Sequence, residues 1–314
     1  MVAVTAGAAA IVVAHGVPSR LDCRGAALVA VADDKTRFHQ ECLSSGDTII
    51  RPDQACRLGK AGVAPTAVLW GDSHAMVAAT PMEIAARRDG AAFLFAATAD
   101  CPVGIGFAID EGTERGLTTT PSYRYCAQYN ADMLALVKRT PSITSVVLAA
   151  RWTNWRIGEP HNPAETAVDI RLRDETGVAE DRTANAAIAE RGLRQLVGEL
   201  VSAGKTVTIV GPVPEPRFNV PHRLFVQQFG LASEIGPLSV QDYYRRHART
   251  LGIFRRLAAS YPVRFIWPIR TLCRGDACPI EDGGRATFFD HNHLSISAAE
   301  RLAGQFDPVF AKTR

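Results

Sequence analysis

Five stretches of this chain are apolar almost from end to end: TAVLWG (66–71), AAFLFAA (91–97), ITSVVLAA (143–150), KTVTIVG (205–211) and VRFIWP (263–268). A strand with one face in water alternates apolar and polar residues, so runs without alternation are strands covered on both faces. That is the condition of a parallel sheet. Between these runs lie segments with helical spacing, at 75–88, 127–139, 182–204, 241–260 and 296–306. Pro81 must kink the first or sit near its start, and Gly204 closes the third in the usual way. The alternation predicts a three-layer α/β/α sandwich with a five-stranded parallel sheet over residues 65–314. In such a sheet ligands bind at the carboxyl ends of the strands. Ser73, Arg151, Pro212 and the loop after Pro268 fall at those ends.

The chain is 314 residues long, enough for a full core, and its 47% hydrophobic and 21% charged content is ordinary for a globular protein. Lys and Arg number 35 against 32 Asp and Glu, which gives no electrostatic case for nucleic acid. Residues 20–64 lack periodicity and carry three cysteines, so they read as an irregular, stapled N-terminal extension. No C-x-x-C pair suits a structural zinc. CRGDAC (273–278) is a short Gly-containing loop closed by two cysteines, and Cys101 and Cys126 bracket a loop-like stretch. The expected bridges are Cys273–Cys278, Cys101–Cys126 and one further pair among Cys23, Cys42 and Cys56, with Cys42–Cys56 the first choice and Cys23 then free, and bridges imply an oxidising, extracytoplasmic location. Residues 1–14 are uncharged and too short to span a bilayer. Residues 1–19 read as the end of a membrane segment that begins upstream, or as a buried helix.

Chemistry concentrates in two places. GDSHA (71–75) sets Ser73 where the first core strand stops and a helix begins. A serine hydroxyl needs a base to become a nucleophile. FFDHNHLSISAAERLA, near the C-terminus, places Asp290 three residues before His293, just ahead of the last helix. At that spacing the carboxylate can hold one imidazole nitrogen and leave the other for Ser73. The amides at the helix start after Ser73 offer an oxyanion site. The G-x-S-x-G elbow of α/β-hydrolases does not fit, because there the acid and histidine lie on separate loops. A metal centre built on Asp72, His74, Asp290, His291 and His293 would need further ligands after the middle strands. AARW and GPVP supply none, so no metal is expected. Trp152 and Trp155, beside Arg151 and Arg156, are candidates for a sugar-stacking platform, although tryptophan in such a domain is more often core. One buried and one exposed is the expectation. His15, His39, His161, His222 and His247 have no visible partner and read as surface residues. His74 is expected to make local hydrogen bonds, and Asp72 to brace the loop through backbone N–H groups.

VLWGDSHA, CPVG (101–104), VVLAARW (146–152), GPVPE (211–215) and DHNHLSISAAERL together resemble the SGNH (GDSL-like) hydrolase superfamily. They are most similar to the extracytoplasmic SGNH domain fused to membrane acyltransferase-3 proteins, which O-acetylate cell-envelope glycans. The resemblance runs from about residue 20 to the C-terminus. It implies a flavodoxin-like sandwich, with Ser73 as nucleophile, His293 as base and Asp290 as its partner. It also implies a glycan acceptor, an upstream acyltransferase-3 domain in the same polypeptide, and no cofactor beyond an acyl donor, which is acetyl. The same triad with water as acceptor would make a carbohydrate or lipid esterase, and a silent glycan-binding module is the reading from another class. The chain departs from the superfamily after the third strand, where Arg151 stands in place of the Asn that donates to the oxyanion. Arg151, Asn154 and the Cys101–Gly104 backbone are the resulting donor candidates, with Thr98 a weaker one and Trp152 a substrate contact.

Overall fold

The computed structural model describes residues 22–31, 34, 41–110, 121–153, 171–231 and 233–311. Five parallel strands form the centre, and each falls on one of the apolar runs. They are β3 (Ala67–Gly71), β4 (Ala92–Thr98), β5 (Ser145–Ala149), β6 (Thr206–Val210) and β7 (Arg264–Ile266). Two earlier strands, β1 (Leu43–Ser44) and β2 (Cys56–Gly59), share the outer edge of β4. β1 lies parallel to Ala97–Thr98 and β2 antiparallel to Ala92–Phe95. The residues that lacked periodicity are therefore part of the sheet. They also contain a helix, α1 (Cys23–Val31). Two- and four-residue strands are too short to show a period, which is why the sequence pattern does not reveal them.

Across the sheet the order is β1-β4-β3-β5-β6-β7. The five central strands follow the order 2-1-3-4-5, so the chain leaves β3 on one side for β4 and on the other for β5. The crevice beyond the carboxyl end of β3 is thus the switch point where ligands bind in open α/β sheets.

Helices cover both faces. α2 (Ser73–Arg88) lies on one face, and α3 (Cys126–Arg139), α4 (Arg182–Ser202) and α6 (Val240–Ser260) on the other. Strand β3 shows why its sequence has no polar face. Ala67 and Leu69 pack into the first core, Val68 and Trp70 into the second, and all four are fully buried. Pro81 lies inside α2 and is itself buried. The closing helix is shorter than its spacing predicts. α7 (Ile296–Glu300) gives way to a 3-10 turn at Ala303–Phe306, where Gly304 weakens the α form. A further helix, α5 (Val220–Gln228), follows the loop after β6.

The bridges are Cys42–Cys56, Cys101–Cys126 and Cys273–Cys278, and Cys23 is a free, exposed thiol. Each matches the expected pairing. Cys42–Cys56 closes the loop between β1 and β2, and Cys101–Cys126 pins the segment after β4 to the start of α3. Among the described residues no helix is long and apolar enough to cross a membrane. The expected membrane segment at 1–19 lies outside the described residues.

Candidate active site

The turn from β3 into α2 starts at a glycine that sequence reasoning passed over. A Cβ on Gly71 would stand 1.7 Å from the Ala149 carbonyl oxygen, so only glycine lets β3 run this close to β5. Asp72 follows, 1% exposed, as the N-cap of α2. Its Oδ1 accepts from the His74 N–H at 2.7 Å and its Oδ2 from the Arg151 N–H at 2.8 Å. The expected brace is therefore also a tie between the ends of β3 and β5. Asp72 takes the Ala75 and Met76 amides on its carbonyl oxygen as well. Of the amides in this first turn, Asp72 leaves only that of Ser73. The oxyanion site expected from the whole helix start narrows to that one donor.

Ser73 faces the loop before α7. The Asp290 Oδ1 accepts from the Asn292 and His293 amides, each at 2.8 Å, which folds 290–293 into a tight turn. That turn brings Oδ2 to 2.7 Å from His293 Nδ1. On the other side of the ring, Nε2 stands 2.8 Å from Ser73 Oγ. A carboxylate can only accept, so Nδ1 carries the proton and Nε2 is left to accept from the serine hydroxyl. The Phe289 ring stacks on that of His293 at 5.1 Å and 5°, and the Val220 N–H donates to the Asp290 carbonyl oxygen. Burial raises the Asp290 carboxyl, but the His293 charge and ring N–H and the two backbone amides outweigh it. They hold it well below the usual carboxylate range. The acid is thus ionised wherever the histidine is to be oriented by it.

His74 lies beside this pair and not where local bonding would put it. Its ring is buried, 5.1 Å from that of His293, with Nε2 3.1 Å from Asn292 Oδ1, a residue 218 positions away. Asn292 in turn meets His291 Nε2 at 2.8 Å. Burial, then the His293 and Arg151 charges, depress His74 to about 3, so it is neutral and donates to Asn292. His74 thus links the nucleophile turn to the acid–base loop.

A cleft of about 380 Å³ opens over the serine, lined among others by Ser45, Ser73, Asp100, Asn219, Asp290 and His293. Among the described residues, Arg151, Gly104 and Trp152, three of the four donor or contact candidates from the sequence, do not line it. Arg151 turns its side chain to the buried Glu215, 3.1 Å away. Trp152 is 2% exposed; its indole N–H donates to the Val210 carbonyl oxygen and its ring meets Phe254 edge-on. It is a core residue and offers no face to a sugar. Gly104 packs against Phe107 and Gly192. Asn154, Trp155 and Arg156 lie outside the described residues. His247 also departs from expectation, being fully buried with Nδ1 2.6 Å from Thr153 Oγ1. His222 is exposed as expected.

Two cleft residues escaped sequence reasoning. Asp100 follows β4 with φ +56°, the only non-glycine residue with positive φ among those described. It stands after the second core strand, and that backbone shape was the signal to look for. Asn219 caps α5 by accepting the His222 N–H on Oδ1, which directs its Nδ2 donors elsewhere. Nothing in GPVPEPRFN marks it, because an Asn before an apolar helix reads as a cap and nothing more.

These features define a serine–histidine–aspartate arrangement at the switch point of a parallel α/β sandwich. Residues 41–308 match the family described as the SGNH domain fused to AT3 domains, and the chain belongs to that family. No functionally curated protein matches it in sequence. Among solved structures it is similar to the periplasmic domain of a lipopolysaccharide acetyltransferase from Salmonella ser. Paratyphi A. The TM-score is 0.56 at 14% identity, over 92% of this chain and 97% of that one. A carbohydrate acetylesterase from Sinorhizobium meliloti aligns with a TM-score of 0.43 at 13% identity, over 78% of this chain and 98% of that one.

Proposed function

We propose that this domain is a serine O-acetyltransferase that modifies a hydroxyl of a cell-envelope glycan through an acetyl-serine intermediate. The observation that carries the reading is the continuous line from Asp290 through His293 to Ser73, at 2.7 and 2.8 Å. Ser73 Oγ attacks the acetyl carbonyl carbon while His293 Nε2 takes its proton. The negative charge that develops on the carbonyl oxygen is met by the Ser73 N–H, with the Asn219 side-chain amide as second donor. Collapse expels the leaving group, which receives the proton from His293, and acetyl remains on Ser73. A glycan hydroxyl then gives its proton to His293 and attacks the acetyl carbon, and as the acetyl–Oγ bond breaks His293 passes that proton to Ser73 Oγ, which restores the free enzyme. Asp290 keeps the ring in the tautomer that can accept, and offsets the imidazolium charge in each step.

Transfer to a glycan, rather than to water, is favoured by the family's fusion to AT3 domains. A membrane domain in the same polypeptide is a natural source of acetyl for such an enzyme. The three disulfides favour an oxidising compartment outside the cytoplasm, where envelope glycans are. With water as acceptor the same groups make an esterase.

The test uses that substitution. The domain should release acetate slowly from p-nitrophenyl acetate and carry a serine-linked acetyl group by intact mass after rapid quenching. Ser73→Ala should remove both signals. A folded Ser73→Ala protein that cleaves the ester at the original rate would sink the mechanism.

A further inference from the structure

Behind the loop after β6 lies a second and larger groove, of about 960 Å³. Among the described residues five arginines line it, at 182, 217, 245, 246 and 249, against two acids, Glu215 and Asp242. The imbalance is local, since the whole chain carries a net charge of only +3. A groove with walls of one sign focuses field lines and concentrates ions of the other sign.

The charge is also held in place from beneath. Glu215, with 2% of its side chain exposed, accepts from Arg246 and from Arg151, each at 3.1 Å. Burial raises its carboxyl, but those two guanidinium charges outweigh the effect and keep it ionised. One carboxylate thus sits between two guanidiniums, and Arg246 is fixed at the groove wall. Arg245 pairs with Asp242 at the surface. Arg217 and Arg249 are exposed, and neither has a carboxylate within ion-pair distance among the described residues; Arg249 touches only the Thr183 hydroxyl. The floor differs in kind. Phe218, Ile235, Pro237 and Leu238 supply apolar surface against which the C–H face of a sugar can pack.

The same loop serves both cavities. Pro214, Glu215, Arg217 and Phe218 line the basic groove, and the next residue, Asn219, lines the cleft over Ser73. Arg151 joins them a second time, with its amide on Asp72 and its guanidinium on Glu215. The groove and the cleft thus share one loop and one arginine.

We propose that this groove binds the acceptor as an anionic glycan, with acid groups on its sugars held by Arg217, Arg246 and Arg249. The inference rests on the transferase reading only in calling the ligand an acceptor. Guanidinium forks match carboxylate and phosphate alike, so the acid is a uronate or a phosphodiester. The volume exceeds what an acetyl group or a single sugar needs and suits an oligosaccharide.

The experiment measures binding and not turnover, using the Ser73→Ala chain so that failure of the catalytic reading leaves it intact. Fluorescently labelled hexagalacturonate and short poly(glycerol phosphate) are titrated by anisotropy, with maltohexaose as the uncharged control. At least one anionic probe should bind 10-fold or more tighter than maltohexaose, and the tighter one identifies the acid. Affinity should fall as salt rises. The Arg217→Glu/Arg249→Glu pair should weaken binding at least 10-fold, while Arg255→Glu, on α6 outside the groove, should change it less than 2-fold. Equal binding of maltohexaose, or an undiminished double variant, would overturn the proposal. So would an equal loss in Arg255→Glu, or equally tight binding of a DNA oligonucleotide of matched charge.

Discussion

The two walls of the cleft over Ser73 are built on different scales. One wall is the turn 290–293, where four consecutive residues supply an acid, a base and the amides that fix the acid. The other wall is assembled from distant places: Ser45 near β1, Asp100 after β4 and Asn219 before α5. A local wall is fixed by spacing, because a carboxylate three residues before a histidine has few ways to fold back. A composite wall depends on loop paths, which no spacing rule specifies. The local wall should carry most of the chemistry, and the composite wall should tune it.

The largest effect should therefore come from the local wall. His293→Ala removes the acceptor of the serine proton and should lower kcat for p-nitrophenyl acetate by 10³-fold or more. Members of one catalytic unit are not additive, so the Ser73→Ala/His293→Ala protein should be scarcely worse than either single variant. Steady-state rates of the three proteins check this, and a double variant far below both singles would mean the residues act separately.

Arg151 lines neither wall and should respond in stability. Its side chain is spent on the buried Glu215, which keeps only Arg246 when Arg151 is lost. Arg151→Ala should cost about 3 kcal/mol by denaturant unfolding, the low end for removing one partner from a buried pair because Arg246 stays on Glu215, with kcat within about threefold. A loss of about 10²-fold in kcat at unchanged stability would instead make Arg151 an oxyanion donor.

The composite wall is tested at Asn219, where cap and donor can be separated. Asn219→Asp retains an oxygen for the His222 N–H but replaces the amide donors with a carboxylate. The melting temperature should hold, and kcat should fall by about 10²-fold, the range for one lost oxyanion donor. Asn219→Ala, which also removes the cap, should lower stability by about 1 kcal/mol. Unchanged kcat in the aspartate variant would leave the Ser73 N–H to be joined by another donor.

What was legible in the sequence follows the same division. The five core strands, the long helices and the Cys273–Cys278 and Cys101–Cys126 bridges can be read from local pattern, whereas three cysteines in the N-terminal extension left Cys42–Cys56 as one choice among several. Ser73, Asp290 and His293 stand out as two short motifs, one near each end of the domain's sequence. The donor side was misplaced. Arg151 and Trp152 occupy the expected position after β5, but a buried glutamate 64 residues on draws the arginine aside, and a packing site opens for the indole against Phe254. His247 was misjudged for the same reason, and the ring partner of His74 was missed, since Thr153 and Asn292 are partners only in three dimensions, although the His74 amide does bond locally to Asp72.

The smallest effect, and the one that joins the walls, concerns His74. Its ring is buried and neutral, depressed from an ordinary 6.5 to about 3. In the unfolded chain it would take up a proton near 6.5. Between those values the unfolded state binds a proton that the native state refuses, so native stability falls as pH falls through that window. Above about pH 7 the residue is neutral in both states and contributes no slope. At pH 5 the penalty should be about 2 kcal/mol, because each pH step below the unfolded value costs about 1.4 kcal/mol. Asp290 and Glu215 do not confuse the measurement, because both are ionised in the folded and unfolded chain above about pH 5. Unfolding free energies at pH 7.5 and pH 5.0 should therefore differ less in His74→Gln than in the wild-type protein, by about that amount. The glutamine amide can still donate to Asn292, so the link between the two motifs persists while the titrating group is gone. Equal pH dependence in the two proteins would mean that His74 takes up its proton in the fold, and that its place beside His293 is not the neutral brace derived from its burial.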